Sequence, residues 1–217
     1  MKYENIHKEL VWTLKITEEI YIMGKIFYIM GKSASGKDHI YKHLMKTKEL
    51  DLKNMVLYTT RPIRAEEENG KQYFFVNEEK LHEFEAQGRL IESRSYNTVH
   101  GIWTYFTADD GQVKLEEANY LGIGTLESFQ NLVKYYGEEN VIPIYIEVES
   151  GERLFRALSR ERAEISPKYA EMCRRFLADE EDFSEEKIQA AGVKRRFENI
   201  NLGNCVEEIT QYIKSLE

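Results

Sequence analysis

A glycine-rich segment near the start of the chain has the residue types and spacing of a phosphate-binding loop. It fits the pattern G-x-x-x-x-G-K. Glycines let the backbone curl until successive N–H groups point at an anion, and a following helix adds positive potential at its N-terminus. The lysine supplies a mobile charge for the terminal phosphates of a nucleotide. The candidate ATP-binding residues are Gly31, Lys32, Ser33, Ala34, Ser35, Gly36, Lys37 and Asp38.

The residue after the lysine departs from the pattern. A serine or threonine would offer its hydroxyl to Mg²⁺ at this position, and Asp38 stands there instead. A carboxylate is also a hard oxygen ligand for Mg²⁺. An aspartate in the first turn of a helix is equally explained by its favourable interaction with the helix dipole. Both explanations stay open, and Asp38 is the candidate metal ligand.

Strands and helices alternate around this loop. Residues 25–30 predict a buried strand and residues 39–48 an amphipathic helix. Further strands are predicted over residues 55–58, 73–76, 119–124, 141–148 and 193–200, a β-pair over 89–95 and 100–107, and helices over 77–87, 126–136, 153–162, 167–179 and 206–216. Asn77 is the expected N-cap of its helix and Gly88 the expected stop. This order predicts an α/β fold, a three-layer core with a parallel sheet and a β-rich insertion near residues 61–110.

Composition and charge narrow the class of protein. The 217 residues carry a net charge of −8, which argues against a nucleic acid polymer as a partner. If the protein binds phosphates, it must bind them with a local cluster of basic residues. Cys173 and Cys205 lie far apart, which fits no disulfide framework and favours a reducing cytoplasm. No apolar stretch approaches the ~18 residues of a membrane span. Residues 1–24 are expected to be an N-terminal extension, with Met23 as a hypothetical start.

A second motif carries two arginines and a tyrosine. Residues 59–76 read T-T-R-x-x-R-x-x-E-x-x-G-x-x-Y-x-F-V. Arg61 and Arg64 flank a proline-restricted turn and can present fork-shaped donors to one phosphate, with the Tyr73 hydroxyl as a third donor. Two arginines near an aromatic ring are common on protein surfaces, so the motif gains its specificity from the phosphate loop upstream.

Together, the loop and this motif closely resemble guanylate kinases. The similarity runs from about residue 25 to 215 and is dense up to about residue 101. It implies a P-loop core over residues 25–60 and 111–217, an inserted small mixed β lobe for GMP over 61–110, and a helical lid over about 156–178. It also implies a cytoplasmic kinase of purine nucleotide metabolism that is Mg²⁺-dependent and converts ATP and GMP into ADP and GDP.

The resemblance assigns roles in the acceptor lobe. Arg61, Arg64 and Tyr73 would hold the phosphate of GMP. Glu92 would read guanine, since a carboxylate accepts from both N1–H and N2–H₂, although a solvated glutamate is the alternative. The remaining matches are His100 and Gly101, which stand where guanylate kinases have an aromatic residue followed by glycine. The resemblance implies that His100 replaces a phosphate-binding tyrosine and that Ile102 replaces a residue with a hydroxyl group.

Two carboxylates that the resemblance implies are missing. Gly122 and Gly124 stand where guanylate kinases have two aspartates, one on the metal side and one near the base. Either Asp38 takes over metal binding and catalysis survives, or the site binds nucleotides and transfers phosphate slowly. The first interpretation is favoured because an inert binder would have little use for a cationic lid.

The lid is expected to bring positive charge to the migrating phosphoryl group. Arg156 and Arg160 are four residues apart on one predicted helix face, and Arg175 precedes an apolar residue as in guanylate kinase lids. Uncertain register leaves Arg162 and Arg174 as alternatives, and a solvated basic helix face is the competing explanation for any one of them. The candidate catalytic residues are Lys37, Arg156, Arg160 and Arg175.

Two other functions stay open: a kinase of the same fold with a different nucleotide acceptor, and a catalytically weak nucleotide-binding or interaction module.

Overall fold

The structure is a computed structural model that describes residues 23–98 and 101–216. His100 and most of the extension expected over residues 1–24 lie outside the described residues, so those predictions stay predictions. The described elements are β1 (Ile26–Met30), α1 (Lys37–Leu44), β2 (Lys53–Asn54), β3 (Leu57–Thr59), β4 (Tyr73–Phe75), α2 (Glu78–Ala86), β5 (Leu90–Thr98), β6 (Gly101–Ala108), β7 (Tyr120–Gly124), α3 (Leu126–Tyr136), β8 (Val141–Glu147), α4 (Ser150–Arg162), α5 (Tyr169–Asp182), α6 (Glu185–Ala190), β9 (Arg196–Glu198) and α7 (Leu202–Lys214).

The core is a five-stranded parallel sheet with the strand order β2-β7-β1-β8-β9. Every residue of β1 is fully buried, because strands flank it on both sides and helices cover both faces. Phe129 and Leu132 of α3 pack on one face with Tyr28. Ile40 of α1 and Ile209 of α7 pack on the other. The predicted three-layer α/β core is confirmed, and β1 delivers its following loop to the carboxyl edge of the sheet.

A second, smaller sheet has the order β4-β3-β6-β5. Strands β3 and β4 pair in parallel and the other pairs are antiparallel, so the sheet is mixed as expected. Strands β5 and β6 pair from Leu90 opposite Ala108 to Thr98 opposite Gly101, with an irregularity between Leu90 and Glu92. The bend lies beside the candidate guanine reader.

The strand predicted over residues 55–58 corresponds to β3, which covers Leu57–Thr59 and pairs with β4 and β6. The two-residue strand Lys53–Asn54 before it was not predicted and belongs to the other sheet, where it pairs with β7. Between them, the side chain of Gln112 bonds both the N–H and the carbonyl of Val56. A short apolar run does not encode which sheet it joins, so the sequence did not separate the two sheets here. The predicted limits of core, lobe and lid stay predictions.

Helix ends follow their capping residues. Asn77 accepts the N–H of Lys80 as the predicted N-cap, and Gly88 follows the helix end with φ of 66°. Helix α1 covers Lys37–Leu44 rather than residues 39–48, and α7 begins at Leu202 rather than 206 because Asn201 caps it. Strand β9 is shorter than the predicted 193–200. Helix α6, capped by Ser184, was not predicted.

In the part of the chain that the structure describes, no helix is long and apolar enough to span a bilayer. Cys173 is exposed and Cys205 is buried, and both are free thiols.

Tyr28 occupies the space beside the two unusual glycines of β7. Its ring lies 2.6 Å from where a Cβ at Gly122 would stand, and its hydroxyl oxygen lies 2.0 Å from a Cβ at Gly124. Tyr28 is fully buried, and its hydroxyl shares a 2.7 Å hydrogen bond with Ser128. Any side chain at either glycine would overlap this tyrosine.

We expect Gly124→Ala to lower the free energy of unfolding by about 1–3 kcal/mol, the usual cost of overpacking a core. Urea unfolding measures it. Gly203→Ala is the control, because a Cβ there meets only the Asn201 side chain at an ordinary 3.4 Å. Adding Tyr28→Phe to Gly124→Ala removes the closest overlapping atom and should recover part of the loss; equal stability of Gly124→Ala and the wild type would contradict the packing argument.

Candidate functional site

The phosphate loop connects β1 to α1 and is shaped by a few tight contacts. A Cβ at Gly36, where φ is 86°, would stand 2.3 Å from the Asn199 side-chain nitrogen. Only glycine allows this approach. Ala34 also has a positive φ of 63°, a backbone region that costs a non-glycine residue about 1 kcal/mol or more. The loop therefore keeps backbone angles at Ala34 that a non-glycine residue does not favour by itself.

Asn199 ties the loop to the sheet and to the lid helix α4. Its side-chain nitrogen donates to the carbonyl of Ser35 at 2.8 Å, and its backbone N–H donates to the carbonyl of Glu147 at 3.0 Å. Its own carbonyl accepts from Arg156 at 3.0 Å. Because Asn199 is only 5% exposed, these bonds are screened little by water.

A cleft of about 540 Å³ lies beside the loop. Arg156 and Arg160 line it from α4, together with Gly36 and Asp38. Arg156 is also fixed by Glu152 at 2.7 Å. The geometry thus brings two of the predicted lid arginines to the loop, while their catalytic role stays a prediction.

Lys37 and Asp38 are available for a ligand. Neither side chain has a hydrogen bond or ion pair with any other side chain or backbone group among the described residues. Lys37 opens α1 and is half-buried, whereas Asp38 is exposed. Mg²⁺ in nucleotide sites is held by one or two carboxylates plus phosphates and water. A single free carboxylate beside a phosphate loop fits that donor set, although the described residues hold no cluster of three or more metal-ligating side chains.

Arg61 of the arginine-tyrosine motif is buried and held in place within the small lobe. Arg61 is 3% exposed and makes two bonds of 2.7 and 2.5 Å to the carboxylate of Glu67. Its guanidinium stacks near the rings of Tyr73 and Phe75 at 5.3 and 5.2 Å, and its Nε has no partner. Arg64 is exposed and donates its backbone N–H to Glu67.

The small lobe meets the core at the edge of the sheet where the phosphate loop begins. Arg94 of β5 donates to Thr125 at 2.9 Å, directly after β7, and β7 pairs with β1, which leads into the loop. Burial, with a smaller contribution from the neighbouring Tyr105, raises the pKa of Tyr73, whereas the charges of Arg61 and Arg94 lower it.

Glu92, the predicted guanine reader, is already bonded within the protein. Its side chain is 1% exposed and accepts from Arg94 Nε at 2.9 Å and Nη2 at 3.3 Å, and from Thr107 at 2.8 Å. Arg94 also donates from Nη1 to Thr125, the N-cap of α3, at 2.9 Å. A lobe arginine therefore connects the candidate base reader to the core.

The lid helix α5 lies against the loop through acidic side chains. Asp179 accepts the backbone N–H of Ser33 at 2.7 Å, and Ser33 lies in the loop that is predicted to bind phosphate. Glu180 bridges Lys32 at 2.7 Å and the buried Arg153 at 2.9 Å. Two protein carboxylates thus occupy part of the anion-binding surface.

The remaining predicted residues are placed less closely. Arg175 reaches the Ser33 hydroxyl at 3.5 Å, whereas Arg174 pairs with Glu171 and Arg162 is exposed. Gly101 begins β6 and Ile102 is 56% exposed. Among the described residues, Arg175 therefore forms a hydrogen bond with the loop, whereas its two alternatives, Arg162 and Arg174, do not.

Comparison with known families agrees with this geometry. A guanylate kinase family model matches residues 23–214. The chain belongs to the guanylate kinase family. A guanylate kinase of Porphyromonas gingivalis is 28% identical over 194 residues, covering 88% of this chain and 97% of the relative. A guanylate kinase of Mycoplasma mobile is 29% identical over 209 residues, covering 88% and 92%.

Solved guanylate kinase structures share the fold. The crystal structure of guanylate kinase from Anaplasma phagocytophilum superposes with a TM-score of 0.62 at 16% identity, covering 89% of this chain and 86% of that one. The small mixed sheet attached to a parallel core is thus the architecture of the guanylate kinase family.

Sequence reasoning gave no role to four residues that shape the site. Glu67 stood inside the recognised motif, and Arg94 follows Glu92 by two positions, which places both on one side of a strand. Tyr28 is the register partner of Gly122. Asp179 had no local signal, because its contact with Ser33 joins residues 146 positions apart.

We expect Asp179→Ala to tighten ATP binding by about tenfold, the ratio that corresponds to ~1.4 kcal/mol, because the Ser33 N–H no longer has a protein carboxylate as a competitor. Calorimetry with a non-hydrolysable ATP analogue measures it. Asp182→Ala is the control, since Asp182 lies on the same helix, is exposed and has no hydrogen bond with other described residues. Weaker binding by Asp179→Ala would mean that this carboxylate helps to hold the nucleotide.

We expect Glu67→Gln to lower the free energy of unfolding at pH 7 by roughly 3 kcal/mol, because it leaves the buried Arg61 charge unpaired. The hydrogen bond from Arg61 lowers the pKa of Glu67 from 4.5 to about 2. A lowered pKa stabilises the folded state above the ordinary pKa, so the difference from wild type should be constant above pH 4.5 and shrink as the pH falls towards 2. Urea unfolding at several pH values tests this; a difference that grows in acid would refute it.

Proposed function

We propose that this protein is a nucleoside monophosphate kinase that transfers the γ-phosphoryl group of ATP to GMP, giving ADP and GDP. Membership of the guanylate kinase family supports nucleotides as its ligands. The observation that carries the proposal is that the small lobe meets the core beside the phosphate loop, where Arg94 donates to Thr125 directly after β7, the strand that pairs with β1. A lobe that meets the core at the edge where the phosphate loop begins suits transfer between two nucleotides.

The residues of each side would have distinct tasks. Backbone N–H groups of the loop and the free ammonium of Lys37 bind the β- and γ-phosphates of ATP. Arg61, Arg64 and Tyr73 hold the phosphate of the acceptor and orient one of its oxygens towards the γ-phosphorus. Arg61 is held in place by Glu67, so little side-chain freedom is lost when the phosphate binds.

The lid supplies charge to the migrating group. Phosphoryl transfer needs positive potential around the equatorial oxygens rather than a covalent nucleophile. Arg156 and Arg160 line the cleft, and Arg175 reaches the loop. When bound with ATP, Mg²⁺ neutralises the phosphate oxygens as charge develops. Asp38 is the residue placed to hold it, because Gly122 and Gly124 offer no oxygen from a side chain.

A second function, a nucleotide-binding module with weak transfer, is favoured by one observation. Asp179 bonds the N–H of Ser33, and Glu180 bonds the ammonium of Lys32. A triphosphate would need both of these groups. If this contact persists in solution, nucleotide binding has to displace it before transfer can begin.

A coupled assay of ADP formation with GMP, dGMP, AMP, UMP and CMP separates these functions. We expect turnover with GMP and dGMP. Lys37→Met should lower kcat by about 10²-fold or more, because it removes charge that stabilises the transition state. Lys42→Met, an exposed lysine on the same helix, should leave kcat unchanged. Tight GMP binding without ADP formation would favour the binding module.

The same assay tests the role of Asp38. Asp38→Ala should raise the Mg²⁺ concentration needed for half-maximal activity, since a single carboxylate is expected to hold the ion. Unchanged activity and unchanged Mg²⁺ dependence would show that Asp38 only complements the helix dipole.

A further inference from the structure

A second cavity, of about 340 Å³, borders the start of the phosphate loop. Lys32 lines it from the loop, and Ser150 and Arg153 line it from α4. Apart from Ile200, it shares no lining residue with the larger cleft beside Asp38. It is therefore a separate space next to the loop, and it has room for a phosphate-sized ion.

Arg153 is the buried cation of this cavity. Its side chain is 1% exposed, and its Nη2 donates to the carboxylate of Glu180 at 2.9 Å. Its Nε and Nη1 have no hydrogen-bond partner among the described residues. The guanidinium also lies over the ring of Phe176, which offers no acceptor oxygen. Buried donors without partners are unfavourable, so the protein's own groups leave this arginine incompletely paired.

The carboxylate of Glu180 takes the place of an anion among three donors. Lys32 Nζ donates to it at 2.7 Å, Arg153 Nη2 donates at 2.9 Å, and the Ser150 hydroxyl lies at 3.4 Å. Burial raises the pKa of Glu180, but Lys32 and Arg153 together hold it below its ordinary value, so the group is an anion. Two cations and a hydroxyl around one anionic group also suit a phosphate.

Glu180 is the member of this cluster that can leave. Its side chain is 38% exposed and belongs to the lid helix α5, whereas that of Arg153 is 1% exposed. A displaced Glu180 enters solvent and leaves no buried negative charge behind. A phosphate has more oxygens than a carboxylate, so it can also accept from a donor of Arg153 that Glu180 leaves unpaired.

The other charges of the cavity are mostly compensated. Glu147 pairs with Arg196 at 2.8 Å, and both carboxylate oxygens of Glu149 accept backbone N–H groups at the start of α4. Glu198 is exposed and is the one acidic lining residue without a hydrogen bond or ion pair to the side chain of another described residue. Once the lid carboxylate leaves, the two cations therefore outnumber the uncompensated carboxylate.

We propose that Lys32, Ser150 and Arg153 form an anion-binding subsite for a phosphate group, and that Glu180 fills it when no such anion is bound. The phosphate belongs either to a nucleotide on the loop or to free inorganic phosphate. Because Glu180 bonds Lys32, its displacement also breaks one of the contacts that hold α5 against the loop. The subsite uses neither the acceptor lobe nor Mg²⁺, so it goes beyond the proposed function.

Calorimetry with inorganic phosphate and the full chain tests this subsite. We expect Glu180→Gln to bind phosphate at least about tenfold more tightly than the wild type, because it removes the competing charge and keeps the side-chain length. Glu181→Gln is the control, since it removes the same charge from the next residue of α5, which is exposed and whose side chain has no bond to another described residue. It should leave phosphate affinity unchanged.

Three further substitutions locate the bound phosphate. Adding Lys32→Met or Arg153→Met to Glu180→Gln should remove the gain, whereas adding Lys37→Met should keep it. Lys32→Met decides the question if Arg153→Met fails to fold, because the side chain of Lys32 is 17% exposed and easier to replace. The subsite is refuted if Glu180→Gln binds phosphate no more tightly than the wild type, or if adding Lys37→Met abolishes the gain.

The same titration of Glu180→Gln with a non-hydrolysable ATP analogue already bound identifies the source of the phosphate. Loss of phosphate binding assigns the subsite to a phosphate of the nucleotide, and binding of both ligands together assigns it to free phosphate. Either result supports the subsite. These titrations need no turnover, so they would give the same affinities if the protein proved unable to transfer a phosphoryl group.

Discussion

One buried asparagine holds together the parts that a phosphate-transfer site requires. Asn199 bonds the carbonyl of Ser35 in the loop, the carbonyl of Glu147 at the end of β8, and Arg156 of the lid. It also lies so close to Gly36 that no side chain fits there. The loop, the sheet edge and helix α4 are therefore coupled through a single residue, by its side-chain amide, its backbone N–H and its backbone carbonyl.

A chain of hydrogen bonds links Tyr28, in the core, to Arg94, in the small lobe. Tyr28 fills the volume beside Gly122 and Gly124, and its hydroxyl connects through Ser128 and Thr125 to Arg94. Burial raises the pKa of Tyr28 far above its ordinary value, so this hydroxyl remains neutral. A neutral phenol therefore fills the space in which the family resemblance implies two carboxylates.

The sequence predicts what depends on near neighbours in the chain. The loop between β1 and α1 and the Asn77 cap are local patterns, and each lies where it was expected. The sequence does not reveal contacts whose partners are far apart, such as Ser33 with Asp179 or Ser35 with Asn199, because no period or spacing links them. Gly122 and Gly124 illustrate this limit. The sequence alone shows only that two expected carboxylates are missing, whereas the register of β1 and β7 shows that Tyr28 lies beside both glycines.

The contact between lid and loop has a direct thermodynamic consequence. In the proposed function, a triphosphate uses the N–H of Ser33 only after Asp179 leaves it, so this bond would lower ATP affinity by its own contribution. The contact is not well optimised on its other side, since Nε and Nη1 of the buried Arg153 have no partners while Glu180 takes only Nη2. Unpaired buried donors destabilise the arrangement that contains them. The lid contact is therefore poised to exchange a protein carboxylate for a phosphate, and ATP binding and lid rearrangement have to be linked.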